Sequence, residues 1–212
     1  MDIILRNETE KDHRIVEEVT REAFWNLYFP GCQEHYLTHI MRDHPDFLPE
    51  LDFVAEVDGK IVGNIMYTKA WLIDEQGNEM EIVSFGPLCV LPKYQRKGIG
   101  SALIAHTRKL CLQNGVKAIV IFGDPHNYCK HGFKCAKDLN ISDLNGNYPS
   151  GMLAIELEEG ALVGHAWKFR YSPVCELDEK EVEQFDAGFA PKEKRYHYSQ
   201  EIFSIAFRSV VR

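Results

Sequence analysis

Val83 to Gly100 reads VSFGPLCVLPKYQRKGIG, and the fold turns on how this stretch is interpreted. An apolar, β-type run passes into a basic, glycine-bearing loop, which becomes the first turn of a helix. Gln95-Arg96-Lys97-Gly98-Ile99-Gly100 offers consecutive backbone N–H groups, and its two glycines let a bulky anion approach the main chain. The helix expected from about Gly98 to Asn114, closed by Gly115, points its positive dipole end at the same spot. Arg96 and Lys97 add full charges. The group this loop suits is a phosphate or pyrophosphate. Gly86-Pro87 is anomalous inside a strand, because proline cannot donate to a ladder, so a bulge or an interrupted edge is expected there.

Working outward, Ile3-Ile4-Leu5-Arg6 reads as a short opening strand. Thr9 or Asn7 is placed to cap a helix from about Glu10 to Trp25, with Ile15, Val16, Val19, Ala23 and Phe24 as its apolar stripe. A second helix, roughly Gln33 to Arg42, shows Tyr36, Leu37 and Ile40 on one side. Asp52 to Val57 and Lys60 to Leu72 form a hairpin about Asp58-Gly59. Met80 to Leu91 follows as a strand. Lys117 to Phe122 is nearly all apolar, which implies burial on both faces beside a parallel neighbour. Gly123-Asp124-Pro125 turns into a short helix to about His131. Met152 to Leu157 is a further strand, and Ile202 to Val211 reads equally as strand or helix. This order predicts an α/β (α+β) fold with a mixed central sheet flanked by helices.

The 212 residues suit a single medium domain, and 45% hydrophobic with 11% aromatic content excludes wholesale disorder. No run of 18 apolar residues is present, and MDIILRNETEKDH lacks a signal-peptide pattern, so a cytoplasmic protein with no membrane span is expected. A net charge of −8 argues against nucleic acid as the main partner. Six cysteines without a CxxC pair read as reduced thiols.

Three features in order resemble the GNAT N-acetyltransferases, in particular a bacterial branch reading GPLxVLPxYQRKGIG and then a GDPxYYxxxGF-like segment. They are the loop Gln95-x-x-Gly98-x-Gly100, the strand Gly86-Pro87-Leu88-Cys89-Val90 before it, and Gly123-Asp124-Pro125-His126-Asn127-Tyr128-Cys129-Lys130-His131-Gly132-Phe133. The likeness spans roughly residues 2 to 158. It implies a splayed sheet whose gap takes the pantetheine arm of acetyl-CoA, as a peptide adds to a sheet edge. By that resemblance the main chain of Leu88, Cys89 and Val90 meets the pantetheine. Gln95, Arg96, Lys97, Gly98, Ile99, Gly100 and Ser101 hold the pyrophosphate.

The reaction implied is direct attack of a primary amine on the thioester, with a strand N–H near Cys89 or Val90 polarising the carbonyl. Tyr128 sits where the family carries a tyrosine near the CoA sulfur, and its role would be general acid; its alternative is plain packing on the short helix. A base must also take a proton from the amine. Glu56, Glu79 and Glu81 are the candidates, and strand parity does not decide among them because a bulge shifts the alternation. Phe24, Trp25, Tyr28 and Phe29 either border the acceptor groove or form an ordinary helix end.

Other constellations carry less. His35 and His39 share a helix face at metal-ligand spacing but have no third ligand, and exposed histidines account for them; Cys129-x-His131-x-x-x-Cys135 lacks a fourth. No metal site is expected. Cys89 reads as a buried filler without a histidine base. The expected partner is a small-molecule or peptide amine, and the protein a monomer or homodimer. Residues 1–158 would form the core and 159–212 an extension packed on it, covering the acceptor side or making a dimer contact. The rival from another class is a non-catalytic acyl-CoA sensor or interaction module on the same scaffold. A nucleotide-binding protein would need GxxxxGK[ST] or GxGxxG, and neither is present.

Overall fold

Alternation along the hairpin strands sets the two faces of the sheet. In the computed structural model, which describes residues 1–212, β1 (Ile4–Asn7), β2 (Phe53–Val57), β3 (Lys60–Ile73) and β4 (Glu79–Val90) run antiparallel in that order. Phe53, Ala55 and Val57 face one way, into the main core with Ile65, Tyr67, Val83 and Phe85. Val54 faces the other way, with Ile61 and Cys89. The first face is covered by α3 (Ile99–Gln113), through Ile99, Leu103 and Ile104. The second is covered by α1 (His13–Phe24), through Val16 and Val19. Both layers follow from a period of two meeting periods of 3.6.

Beyond β4 the sheet continues through β5 (Ala118–Phe122), β8 (Met152–Glu156) and β6 (Lys134–Cys135). β5 is parallel to β4 and antiparallel to β8, so it is enclosed on both edges, as its apolar run requires. The β4–β5 ladder holds a single registered pair, Val83 with Ile119. Past it, Ser84 to Val90 pair only with β3. Gly86-Pro87 carries a cis peptide bond, and the β3–β4 register shifts between Ile65 and Tyr67, so two residues of β4 lie opposite Met66. The expected bulge and break are both there.

Several expectations are corrected. The first helix opens as a 3-10 turn, Glu10–Asp12, and Ile15 is exposed while Val16, Val19 and Thr20 are buried. In α2 (Glu34–Met41) the buried side is His35, Thr38 and Met41 rather than Tyr36, Leu37 and Ile40. The reason lies far along the chain. Phe185 and Phe189 cover His35 at ring separations of 5.4 and 5.1 Å, and Tyr36 Oη donates to Glu181 at 2.7 Å. That covering comes from α5 (Glu179–Asp186) and the turn after it. His35 is thus fully buried, not an exposed histidine.

Residues 159–212 also supply β9 (Trp167–Arg170), which pairs with β3 at Trp71–Ile73 and lies parallel to β7 (Ile141–Ser142). The sequence offered only four alternating residues for it. The Ile202–Val211 stretch resolves as helix, α6 (Tyr198–Arg208). α4 (Pro125–Tyr128) completes the set, capped by Asp124, whose side chain accepts from His126 N at 2.9 Å. No helix is long and apolar enough to cross a membrane.

Candidate functional site

Where β4 leaves β5, a cavity of about 370 Å³ opens. Four segments wall it. Leu88, Cys89 and Val90 line it from the free edge of β4. Tyr94, Gln95, Arg96, Gly98, Ile99, Gly100, Ser101 and Ile104 line it from the loop and the first turns of α3. The end of α1 and the turn after it contribute Ala23, Phe24, Leu27 and Tyr28, and the α4 segment contributes Asn127, Tyr128, Lys130 and His131.

The loop holds the geometry of an anion cradle. Gln95 N donates to Pro92 O and Ala102 N to Gly98 O, while no backbone N–H from Arg96 to Ser101 finds a partner within the chain. Arg96 and Gly98 adopt left-handed φ values of 59° and 87°, which turns the chain onto the N-terminus of α3. At Gly98 glycine is what that conformation favours. Successive unpaired N–H groups at a helix start form a positive concavity. Gln95 Nε2 donates to Val90 O at 3.0 Å and ties the loop to the strand edge. Ser101 Oγ lies 3.3 Å from His131 Nε2, which joins the cradle to the α4 segment.

All the expected ligand-holding residues gather here except Lys97, whose ammonium lies 5.3 Å over the Tyr94 ring and does not line the cavity. Lys130 and His131 were missed. From sequence, that segment offers Tyr128 as an acid and His131 only within an incomplete metal pattern, and neither Lys130 nor His131 is assigned to the ligand. Of the four aromatic candidates, Phe24 and Tyr28 line the cavity. Trp25 instead stacks under Arg21 at 4.3 Å and donates to Glu193 O at 3.0 Å. Phe29 stays outside the lining and is 36% exposed.

Tyr128 packs against Phe85 and Phe133 at ring separations of 5.8 and 6.1 Å. Burial, helped by the charge of Asp124, pushes its phenol up to about 12, so it keeps its proton at neutral pH. Tyr28 is raised further, by burial and then by Tyr128, Glu34 and Asp124. Burial also pushes the Glu34 carboxyl up to about 7, against hydrogen bonding that includes Gln33 N at 3.0 Å. The Glu34 charge is felt at Tyr28, Cys32 and Cys89. Glu34 does not itself line the cavity, but its carboxyl titrates near neutrality and its charge bears on Tyr28, which does line it.

The three glutamates read from the strands are engaged elsewhere. Glu56 accepts from Arg6 at 2.6 Å, Glu79 takes Arg170 bidentately at 2.7 and 2.9 Å, and Glu81 lies 3.4 Å from Lys69. None lines the cavity. Cys89 is buried, with its thiol on Asn64 Oδ1 at 2.7 Å and pushed up to about 12 by burial. Cys32 Sγ is 3.3 Å from His35 Nδ1, and His35 Nε2 is 3.1 Å from Asp186 Oδ1 without hydrogen-bond alignment. That spacing mimics a thiol–imidazole–carboxylate relay. Burial opposes it, raising the thiol and holding His35 down at about 4, so both stay neutral.

The model of the Acetyltransferase (GNAT) family matches residues 21–133. The uncharacterized N-acetyltransferase YhbS of Escherichia coli (strain K12) is 30% identical over 137 residues, which cover 64% of this chain and 77% of that protein. The uncharacterized N-acetyltransferase YjhQ of the same strain is 33% identical over 91 residues, 42% of this chain and 50% of that protein. The chain therefore spans half the length of YjhQ. A crystal structure of E. coli YhbS in complex with CoA superimposes with a TM-score of 0.70 at 24% identity, covering 82% of this chain and 91% of that one. A GNAT family acetyltransferase from Brucella melitensis in complex with acetyl-CoA gives 0.65 at 22%, covering 82% and 99%. At these identities the structural likeness is one of fold.

Proposed function

Because the chain belongs to the GNAT acetyltransferase family, we propose that it is an acetyl-CoA-dependent N-acetyltransferase acting on a primary amine. The observation that carries this reading is the free edge of β4 running straight into a cradle of unpaired N–H groups. A ligand needing both is one with amides along its arm and a diphosphate behind them. On this reading Leu88, Cys89 and Val90 pair with the pantetheine arm, and Arg96 through Ser101, with Gln95, surround the pyrophosphate. Lys130 stands across the same cavity and adds a positive charge, while burial, with Lys130 and Arg108 nearby, holds His131 beside it neutral. Residues 1–158 form the core of the enzyme, and 159–212 an extension packed on it.

Acetyl-CoA supplies the acetyl group as a thioester. The chain's own residues then manage protons. Glu34, titrating at about 7, takes a proton from the incoming ammonium, directly or through water. Tyr128, protonated at neutral pH, returns one to the sulfur as the C–S bond breaks. A neutral, buried Cys89 thiol argues for direct attack over an acyl-cysteine.

The test is Tyr128→Phe, assayed by calorimetry with acetyl-CoA and by free-thiol release on a panel of amines. Turnover should fall about 10²-fold with acetyl-CoA affinity unchanged. Acetyl-CoA binding by the unmodified protein with no turnover on any amine would favour a sensor instead. Binding of ATP or NAD but not acetyl-CoA defeats both readings.

A further inference from the structure

The C-terminal helix α6 lies outside the family match, yet it packs on a residue that lines the cavity. Phe203 stacks on Tyr28 with ring centroids 3.9 Å apart and planes 24° from parallel. Phe207 packs on Phe122, at the end of β5, at 5.2 Å. The helix is tied down on both flanks. Gln200 Nε2 donates to Asn26 O at 2.9 Å, just past α1. On the far side, Ser150 Oγ donates to Ala206 O at 2.6 Å, Ser150 N to Ser209 O at 2.9 Å and Val211 N to Tyr148 O at 2.8 Å. α6 thus spans from the end of α1 to the connection before β8, packing on Tyr28 and on Phe122 at the end of β5.

We infer that α6 closes the acceptor end of the cavity, with Phe203 as a positioning residue behind Tyr28, and that the acceptor is a small cationic amine rather than an amine on a polypeptide. This rests on the acetyltransferase reading for its chemistry and on the strap alone for its selectivity. An N-terminal amine brings chain on one side and a lysine side chain brings it on two, whereas a free small amine brings none, so a cavity flanked by the tethered α6 favours the small acceptor. Asp124 caps the helix that carries Tyr128 into the same cavity as Tyr28, and after Tyr128 itself the charges felt at Tyr28 are those of Glu34 and Asp124, both negative when ionised. An aromatic face with carboxylates around it attracts an ammonium. Phe203 fixes that face by stacking, without lining the cavity itself.

The experiment uses the full chain and two kinds of probe. Phenethylamine and agmatine represent small cationic amines; an octapeptide with a free N-terminus and one internal lysine represents polypeptide. Direct calorimetric titration needs no acetyl-CoA, so it tests the acceptor pocket even if the acetyltransferase reading fails. At least one small amine should bind, and the peptide should not. Phe203→Ala should weaken that amine about 10-fold, and in the thiol-release assay raise its KM while leaving the KM for acetyl-CoA unchanged. Phe203→Tyr should restore the amine KM, and Phe203→Leu, which keeps the packing volume but not the flat face, should restore only the melting temperature. The inference fails if the peptide binds or reacts as well as the amines, if neither amine binds, or if Phe203→Ala shifts both KM values alike.

Discussion

Tyr128 stands where it does because residue 123 has no side chain. A Cβ on Gly123 would lie 2.3 Å from Tyr128 Cε2, and the ring has Phe85 and Phe133 behind it. Gly123→Ala should therefore displace the phenol and lower turnover about 10-fold or more, with acetyl-CoA affinity measured by calorimetry nearly unchanged. Glu34 makes two opposite predictions. A base acts when deprotonated, so kcat/KM should climb as pH rises through about 7, and Glu34→Gln should remove that limb. The same carboxyl has a folded pKa above its ordinary 4.5, so the fold loses stability as pH rises through about 7. Glu34→Gln should thus melt higher than the unmodified protein at pH 8 while being nearly inactive; a lower melting temperature there would contradict the burial argument. The residues of the cradle were legible in sequence because Gln95-x-x-Gly98-x-Gly100 is a local pattern. Glu34 was not, since its raised pKa is conferred by burial, and the sequence offered only the strand residues Glu56, Glu79 and Glu81, among which parity could not decide.

At the scale of elements the separation of β4 from β5 matters most. Its cause was readable: Gly86-Pro87 interrupts donation, and the register shift opposite Met66 follows. Amides left without partners exchange quickly with solvent. Hydrogen exchange followed residue by residue should show Arg96 to Ser101, and the β4 edge at Leu88 to Val90, slowing on addition of acetyl-CoA. Exchange of β2 and of the β5–β8 ladder should stay as it was. If Leu88 to Val90 are already slow in the free protein and do not change, the edge is not where the arm sits. β9 and the buried side of α2 were illegible for a different reason. Four alternating residues in Trp167–Arg170 are too few to signal a strand, and His35 is buried only because Phe185 and Phe189 arrive from a distant segment.

The whole molecule is held by that distant segment. Arg21, buried on α1, bonds Asp186 at 2.6 Å and Ala190 O at 3.1 Å, while Arg14 Nη2 reaches Gly188 O at 2.8 Å. Removing one side of a mostly buried pair strands the other charge, so Asp186→Ala should cost about 3 kcal/mol. That corresponds to a fall in Tm of about 6–12 °C for a chain of this size. A second charge cluster joins Arg42 to Glu8 and Glu17 at 2.7 and 2.9 Å. Beside it burial, reinforced by the neighbouring Glu8 carboxylate, raises Asp52 well above the usual carboxylate range. Asp52 therefore keeps its proton in the fold, and stability should decline as pH rises from acid into the alkaline range. Asp52→Asn should flatten that decline in thermal melts from pH 5 to 9, and an unaltered slope would show that Asp52 is already ionised. The bonds from α1 to Asp186, Glu193 and Ala190 join residues 165, 168 and 169 positions apart in the chain. Translation consequently delivers the anion cradle early and the clamp on α1 late. A chain halted before Asp186 would hold every residue of the loop at the start of α3 while the arginine on its first helix still lacked a counter-charge.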